Sequence, residues 1–255
     1  MAVVFIFFLT ETIETNIVSL VLYYWEVGRA LMEREMEMRR RILRMALQRF
    51  LQAGFSRVTT QEIAKALGIS KKTLYTYFSS KREILLEALK ANLSGMERRL
   101  DMVLSEKEAP FERKFVRFLA LVGYQIRLVG PVLIEDLFRT VPEAWEIIDT
   151  FRRKQVLSRL ARLLEEGRQM GRVRADLDLE SILFILYSVV SQVLTPDMPL
   201  KQGLSLQQVF TSFVELLFGG LLSPESFHTI KDRINEKEAA LGQEELYEEN
   251  TLFID

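Results

Sequence analysis

Residues 59–83, which read TTQEIAKALGISKKTLYTYFSSKRE, predict two short helices joined by a tight turn and followed by the start of a third. Thr59 and Glu62 are three positions apart, the spacing of a capping box that satisfies free backbone amides at a helix start. Gly68 is expected to end this helix, because glycine adopts the left-handed conformation at a helix C-terminus without penalty. A second helix then follows over Lys71–Tyr77. The pattern is typical of a helix-turn-helix.

The second of these helices has a surface suited to a phosphate-lined groove. Its Leu74 is expected to point inward, together with Phe78. The opposite side has lysines, hydroxyls and phenols and no acidic residue, which favours a recognition helix in the major groove of DNA. The side chains of this surface are Lys71, Lys72, Thr73, Tyr75, Thr76 and Tyr77.

The same stretch resembles a known family. Residues 68–85, GISKKTLYTYFSSKREIL, resemble the DNA-binding signature of the tetracycline-repressor (TetR) family. The resemblance covers about residues 39–93. It implies an all-α chain, in which a three-helix helix-turn-helix domain precedes a helical domain for ligand binding and dimerisation. Residues that resemble the family's first helix and its turn into the second are Ala46, Phe50, Gly54, Phe55, Val58, Thr59 and Thr60.

Composition limits the possible chemistry. The chain has 255 residues, of which 49% are apolar, so it can form a sizeable core. It contains no cysteine, which excludes disulfides and thiolate sites, and a cytoplasmic location is expected. His228 is the only histidine, and Glu135 and Asp136 are adjacent, so neither a His-rich metal cluster nor an acid–base pair is evident. We expect no enzyme activity, no cofactor and no metal.

Charge is distributed unevenly along the chain. Residues 36–100 contain 14 Lys/Arg against 5 Asp/Glu, a surplus of 9 positive charges. Residues 224–255 contain 9 acidic against 3 basic residues, a surplus of 6 negative charges. A solvated helix face is the simpler interpretation of a charged run. We favour binding to duplex DNA, because the basic excess coincides with the recognition motif.

Apolar periodicity predicts helices along the rest of the chain. A first helix is expected after residue 38 and up to Gly54, and Ser80 with Glu83 begins a long helix that extends to about residue 106. No stretch alternates with period two, so no sheet is expected. Further helices are predicted over Phe111–Leu128, 132–138, 143–168, 179–194 and Leu206–Leu221. The predicted domains are an N-terminal extension (1–35), a DNA-binding domain (36–93), an effector-binding and dimerisation domain (94–223) and an acidic extension (224–255).

The helices near 179–194 and 206–221 are apolar on almost all sides. A helix of this kind is buried all round, in a core or in a subunit interface. Two such helices predict a four-helix interface between two copies of the chain, and the resembled family pairs its subunits in this way. A purely intramolecular core is the alternative.

The N-terminus contains two apolar runs within residues 1–25, each too short to span a bilayer, and lacks the features of a signal peptide. Met32, Met36 and Met38 lie just ahead of the expected first helix. Our interpretation is that translation starts at one of them and that residues 1–31 are a mis-called start. A genuine arm that binds a membrane or a partner is the alternative. We expect no membrane association.

Residues at the start of the recognition helix are expected to read bases. Lys71, Lys72 and Thr73 lie where side chains reach base edges, since lysine donates to guanine and a threonine methyl contacts thymine. Core packing is the alternative role for Tyr75 and Tyr77, and simple solubility is the alternative role for Lys81. The remaining predicted contacts to DNA, mainly to its phosphates, come from Thr60, Gln61, Ser70, Tyr75, Thr76, Tyr77 and Lys81.

Aromatic residues of the C-terminal half are expected to line a cavity for a small, largely apolar effector. Taken alone, each residue is better explained as part of an ordinary core. Arg127 is a candidate polar anchor for the ligand. The candidate lining residues are Phe118, Tyr124, Phe138, Trp145, Phe184 and Tyr187.

The sequence thus predicts a homodimeric transcriptional repressor that a ligand releases from a pseudo-palindromic operator. Two alternatives remain open. One is a ligand-independent architectural or protein-partnered DNA-binding factor. The other is a membrane-associated sensor, in which residues 1–25 are functional.

Overall fold

The computed structural model describes the backbone of residues 2–128, 131–193, 206–240 and 254, and side chains from residue 23 onward except at 127, 131–132, 192–193, 206–211, 214, 217 and 234–240. Within these ranges the only extended pairing is an isolated antiparallel bridge between Val173 and Leu222, so the expected all-α fold is confirmed. A π-helical turn, Arg152–Val156, joins the seventh and eighth helices. The α-helices are α1 (Ala2–Ala53), α2 (Thr60–Ala66), α3 (Lys71–Tyr77), α4 (Lys81–Ser105), α5 (Phe111–Leu128), α6 (Pro131–Thr140), α7 (Pro142–Phe151), α8 (Leu157–Gln169), α9 (Leu179–Val193), α10 (Leu206–Leu221) and α11 (Pro224–Ala240).

Helix α1 is much longer than the sequence indicated. It is continuous from Ala2 to Ala53, whereas we expected a helix only after residue 38. Among its described side chains, the first buried one is Ile42, and those before Met38 are almost all exposed. No proline interrupts residues 2–53, which is consistent with a continuous helix. None of the described helices has both the length and the apolar character needed to cross a membrane.

Helices α2 and α3 begin and end where the sequence predicted. In the capping box, the Thr59 backbone N–H donates to the Glu62 carboxylate at 2.7 Å, and the Glu62 N–H donates to the Thr59 hydroxyl at 3.2 Å. Gly68 follows α2 with a φ of +69°, a backbone conformation that side chains other than glycine rarely adopt. Ser70 then caps α3, because its Oγ accepts from the Thr73 N–H at 2.9 Å. These caps fix the angle between the two helices.

Two apolar cores follow one another along the molecule, and α4 belongs to both. Its first half supplies Ile84 and Leu85 to a first core, which it shares with α1, α2 and α3. Its second half supplies Met96 and Leu100 to a core with aromatic residues of α5 and leucines of α8. Helix α6 instead packs Leu133 and Leu137 into the first core. The two halves of the molecule are therefore joined by α4 and α6.

The predicted helix over 143–168 is interrupted in the structure. It comprises α7, the π-helical turn Arg152–Val156 and α8. This segment contains no proline, and its first glycine is Gly167, so the sequence has no feature that marks the turn. Gly167 has a different role, because a Cβ there would lie 2.5 Å from the ring of Phe111. Its lack of a side chain permits the close packing of α8 on α5.

The C-terminal end of the chain contacts the DNA-binding domain. Ile254 is buried in the first core, and its carbonyl accepts a hydrogen bond of 2.6 Å from the guanidinium of Arg44 on α1. The rest of the predicted acidic tail, residues 241–253 and 255, lies outside the described residues.

Candidate DNA interface and ligand cavity

Helix α3 separates its apolar and polar residues as the sequence predicted. Leu74 is completely buried, and Phe78, which follows the helix, is nearly so. The predicted base-reading residues Lys71, Lys72 and Thr73 are exposed, as are Ser70 and Thr76. With Gln61 and Tyr75, seven of the ten residues predicted to contact DNA are therefore exposed.

Thr60 and Tyr75 contact each other rather than standing apart. The hydroxyl of Thr60 lies 3.3 Å from that of Tyr75, and Thr60 is buried. Lys71 places its ammonium 5.8 Å from the centre of the Tyr75 ring. This cluster connects α2 to α3, and both Tyr75 and Gln61 are exposed. Tyr75 thus combines packing with an accessible phenol.

Tyr77 is half-buried and packs against the core of the DNA-binding domain. Its carbonyl accepts a hydrogen bond of 2.6 Å from Arg39, whose guanidinium also lies 4.3 Å from the centre of the Phe78 ring. Arg39 is therefore a positioning residue that the sequence did not single out. It holds the C-terminal end of α3 against α1, so that packing dominates the environment of Tyr77.

Lys81 has an internal role that the sequence did not reveal. Its ammonium donates hydrogen bonds of 2.9 Å to the carbonyls of both Phe55 and Val58, and lies 4.3 Å from the centre of the Phe55 ring. Burial lowers the pKa of Lys81, although Asp136 and Glu62 oppose that shift. Two of its three N–H groups therefore hold the loop between α1 and α2. A phosphate contact by the third N–H stays a prediction.

The loop between α1 and α2 is also tied to α6. The backbone N–H of Ser56 donates to Asp136 at 2.6 Å, and the Ser56 hydroxyl donates to the other carboxylate oxygen. Burial alone would raise the pKa of the Asp136 carboxyl, but the hydrogen bonds from Ser56 outweigh this effect and the pKa lies below its ordinary value. A second link joins Arg82 of α4 to Glu143 of α7. These contacts connect the DNA-binding domain to the helices that follow α5.

A largely apolar cavity of about 150 Å³ lies among α1 and α4–α9, with a contribution from α10. Three of the predicted aromatic residues line it, namely Phe118, Trp145 and Tyr187. Helix α6 contributes Leu133, Ile134 and Leu137 to the same cavity, which therefore adjoins the helix that carries Asp136.

Three other predicted ligand residues, Phe184, Phe138 and Tyr124, lie outside the lining of this cavity. Phe184 is 71% exposed, because α9 turns Leu186 and Tyr187 toward the cavity and Phe184 away from it. The ring of Phe138 contacts that of Trp145 in a tilted arrangement, with 4.6 Å between ring centres. Tyr124 packs half-buried against the second core. The side chain of Arg127 lies outside the described residues.

A polar corner of the cavity is formed by residues that sequence reasoning missed. Arg152, in the π-helical turn, donates to Asp149 at 2.8 Å, and its guanidinium carbon lies 4.9 Å from the centre of the Trp145 ring. Burial lowers the pKa of Arg152, while the carboxylate of Asp149 opposes the shift. In the same cavity lining, the amide oxygen of Gln125 accepts from Asn92 at 3.1 Å. Only the π-helical turn, a feature common at functional sites, marks Arg152 as special.

Comparison with known proteins identifies the family. Residues 42–88 match the family model described as "Bacterial regulatory proteins, tetR family". The chain is 30% identical over 189 residues to the HTH-type transcriptional regulator YvaF of Bacillus subtilis (strain 168). The matched region covers 74% of this chain and 97% of YvaF. This chain belongs to the TetR family. The resemblance stated from the sequence is confirmed, and the protein is a DNA-binding transcriptional regulator.

Two further likenesses agree with the TetR-family assignment. The HTH-type transcriptional repressor KstR2 of Mycolicibacterium smegmatis is 25% identical, over 71% of this chain and 88% of the relative. The fold is similar to that of FadR from Bacillus subtilis, which was solved in complex with stearoyl-CoA. That likeness has a TM-score of 0.51 at 23% identity and covers 71% of this chain and 97% of FadR. It supports a helix-turn-helix domain followed by a helical domain.

Proposed function

We propose that this TetR-family regulator is a homodimeric repressor that leaves a pseudo-palindromic operator when a small, largely apolar ligand occupies the cavity. The observation that carries the proposal is the position of α6 between the cavity and the DNA-binding domain. Leu133 and Leu137 line the cavity and also belong to the core of that domain. Asp136, on the same helix, accepts hydrogen bonds from Ser56. Repression is also the activity named for the relative KstR2.

Binding to DNA would use the exposed surface of α3. Lys71, Lys72 and Thr73 occupy its N-terminal end, the part of a recognition helix that contacts base edges. The surplus of 9 positive charges over residues 36–100 supplies the attraction to phosphates, which releases counterions and makes binding depend on salt.

Dimerisation would use α9 and α10. The outward side of α9 exposes Phe184 and Ile185, and α10 exposes Leu216 by 81%. Large apolar side chains that are exposed on apolar helices favour a protein–protein interface. A two-fold dimer of this kind presents two equivalent recognition helices, which explains why the operator would be a pseudo-palindrome.

Release from DNA would follow from movement of α6. A ligand that fills the space beside Ile134 and Leu137 favours the conformation in which α6 lies further from the cavity. Asp136 would transmit that shift to the loop that precedes α2 and α3. The two recognition helices of the dimer must lie about 34–36 Å apart to fit successive turns of the same groove, so a small rotation is enough to lower affinity. By linkage, DNA lowers the affinity for the ligand by the same factor.

A selection on randomised duplex DNA, followed by binding measurements on the enriched sequence, tests the proposal. We expect an enriched pseudo-palindrome that binds one dimer. Val122→Phe adds volume inside the cavity and would mimic the ligand, so that operator affinity falls by about 5-fold or more. Met102→Phe, at an exposed position of α4, is the matched control and should leave affinity unchanged. Enrichment of a single half-site bound by a monomer would contradict the dimeric repressor.

A further inference from the structure

The polar atoms that remain unpaired around the cavity are of one kind. Among the described side chains that line it, the buried atoms without a hydrogen-bond partner are Nε and Nη1 of Arg152 and Nε2 of Gln125. All three are donors. A buried donor without an acceptor is costly, and native proteins leave few of them. The cavity therefore presents donors for which only a ligand or water can supply acceptors.

The orientation of these donors is fixed by the protein. Asn92 donates to Oε1 of Gln125 at 3.1 Å, which assigns that oxygen to the protein and leaves the amide N–H group for the cavity. Asp149 accepts from Nη2 of Arg152 at 2.8 Å. The other two nitrogens of the guanidinium are therefore the ones available to a ligand.

The charge of Arg152 is already balanced. Arg152 is the only charged side chain among the described residues that line the cavity, and Asp149 forms an ion pair with it. The hydroxyl of Tyr187 donates to both oxygens of Asp149 at 3.2 Å, which fixes the carboxylate. A second anion at this place would be left without a counter-charge in apolar surroundings, at a high cost in free energy. The corner thus accepts an uncharged oxygen more readily than a carboxylate.

The size of the cavity limits the rest of the ligand. A cavity of about 150 Å³ is the volume that, in other proteins, accommodates a benzene-sized molecule. The rest of the lining includes Leu93, Met96 and Phe118, whose side chains offer dispersion contacts only. A ring or short chain of this size, with one polar end, fits both features.

We propose that the effector is a small uncharged carbonyl compound, such as a ketone, ester or amide, whose oxygen accepts hydrogen bonds from Arg152 and Gln125. This assignment rests on the proposed function, because it takes the cavity to be the effector site. It adds the chemical class of the ligand, and it excludes free carboxylic acids of the same size at neutral pH.

Three probes of nearly equal size test the assignment by isothermal titration calorimetry on the full-length protein without DNA. Acetophenone carries an uncharged carbonyl, benzoate carries a charge, and ethylbenzene has no polar atom. We expect acetophenone to bind about tenfold or more tightly than ethylbenzene, because hydrogen bonds to a charged donor stabilise by that amount. Benzoate should bind more weakly than acetophenone by a similar factor.

A variant pair locates the effect at the polar corner. Gln125→Leu should weaken the binding of acetophenone several-fold and leave ethylbenzene unchanged or slightly tighter. The ratio between the two probes on one protein is insensitive to a general loss of packing. Gln169→Leu, at an exposed position of α8, is the matched control. Arg152→Lys retains the positive charge beside Asp149 and should reduce the same ratio, because the ammonium lacks the two free guanidinium nitrogens.

Each other outcome overturns the assignment. Benzoate that binds as tightly as acetophenone would show that the corner accepts an anion. Equal binding of acetophenone and ethylbenzene, or a ratio unaffected by Gln125→Leu and Arg152→Lys, would show that the donors are not used. Absence of binding by all three probes would exclude this size class. Operator binding, measured on the same preparations without any probe, reports separately on the proposed function.

Discussion

The backbone N–H of Ser56 donates a hydrogen bond of 2.6 Å to the carboxylate of Asp136, across 80 positions of sequence. Ser56 lies just ahead of the helix-turn-helix, and Asp136 lies on the helix that borders the cavity. The contact is therefore a short physical path between the two functional parts of the molecule. The carboxylate is buried and accepts hydrogen bonds from both the backbone N–H and the hydroxyl of Ser56. Because two hydrogen bonds join the same two residues, Ser56 and Asp136 can move little relative to each other.

Removal of this carboxylate should weaken both stability and coupling. Asp136→Ala leaves the Ser56 N–H without its acceptor in a part-buried position, at a cost of about 1–3 kcal/mol in the free energy of unfolding. Denaturant titration measures this cost. The effect of Val122→Phe on operator affinity should also diminish in the Asp136→Ala background. Glu135→Ala changes an exposed neighbour on the same helix and is the control; an equal loss in both variants would show that the contact is not special.

The same contact predicts a pH dependence. Because its folded-state pKa is lowered, Asp136 contributes stability that is complete above the unfolded pKa, about 4, and that is lost as the pH falls through the folded-state value. The difference in unfolding free energy between the wild type and Asp136→Asn should therefore be constant from pH 7 to 5 and shrink below pH 4. Urea titrations at a series of pH values measure it. A difference that grows on acidification would mean that the pKa is raised instead.

Local interactions explain what the sequence could predict. The capping box of Thr59 and Glu62, the cap of Ser70 and the turn at Gly68 involve residues within four positions of one another, and each has the predicted geometry. The exposed and buried sides of α3 follow from helical periodicity alone. For these features, the local sequence contains all of the necessary information.

Non-local contacts explain what the sequence could not predict. The partners of Lys81 are carbonyls more than 20 positions away, and carbonyls carry no sequence signal. The π-helical turn that positions Arg152 has no proline or glycine to mark it. Helix α9 is apolar on almost all sides, so its periodicity could not indicate that Tyr187 faces the cavity and Phe184 faces outward. Only the packed structure decides these three points.

The two lysines at the start of α3 should determine operator preference. Lys71 and Lys72 are exposed at the position that reaches base edges, where a good bidentate contact discriminates by about 1–3 kcal/mol. We expect Lys71→Ala or Lys72→Ala to reduce the differences in affinity among operator variants. The loss of affinity for random duplex should be smaller. Binding selections with each variant measure this preference. An unchanged motif in both variants would place base reading elsewhere on the domain.

Lys81 should affect stability as well as DNA affinity. Lys81→Ala leaves the carbonyls of Phe55 and Val58 without a donor, so the free energy of unfolding should fall by about 1–3 kcal/mol. Affinity for all duplexes should fall about equally, without a change in the selected motif. The exposed Lys65→Ala on α2 is the control for a lost positive charge. If both variants unfold at the same denaturant concentration, the internal hydrogen bonds contribute no stability.

The exposed apolar residues of α9 and α10 should hold two subunits together. Phe184→Glu and Leu216→Glu each place a charge on a surface that we infer to be buried between copies, where an unpaired carboxylate is strongly unfavourable. Analytical ultracentrifugation should show a shift from dimer to monomer, and operator affinity should fall because a monomer contacts only one half-site. Met102→Glu introduces the same charge at a 56% exposed apolar residue of α4 and should leave the dimer intact. A dimer that survives both substitutions on α9 and α10 would place the interface on another surface, since neither helix could then be buried at the contact between subunits.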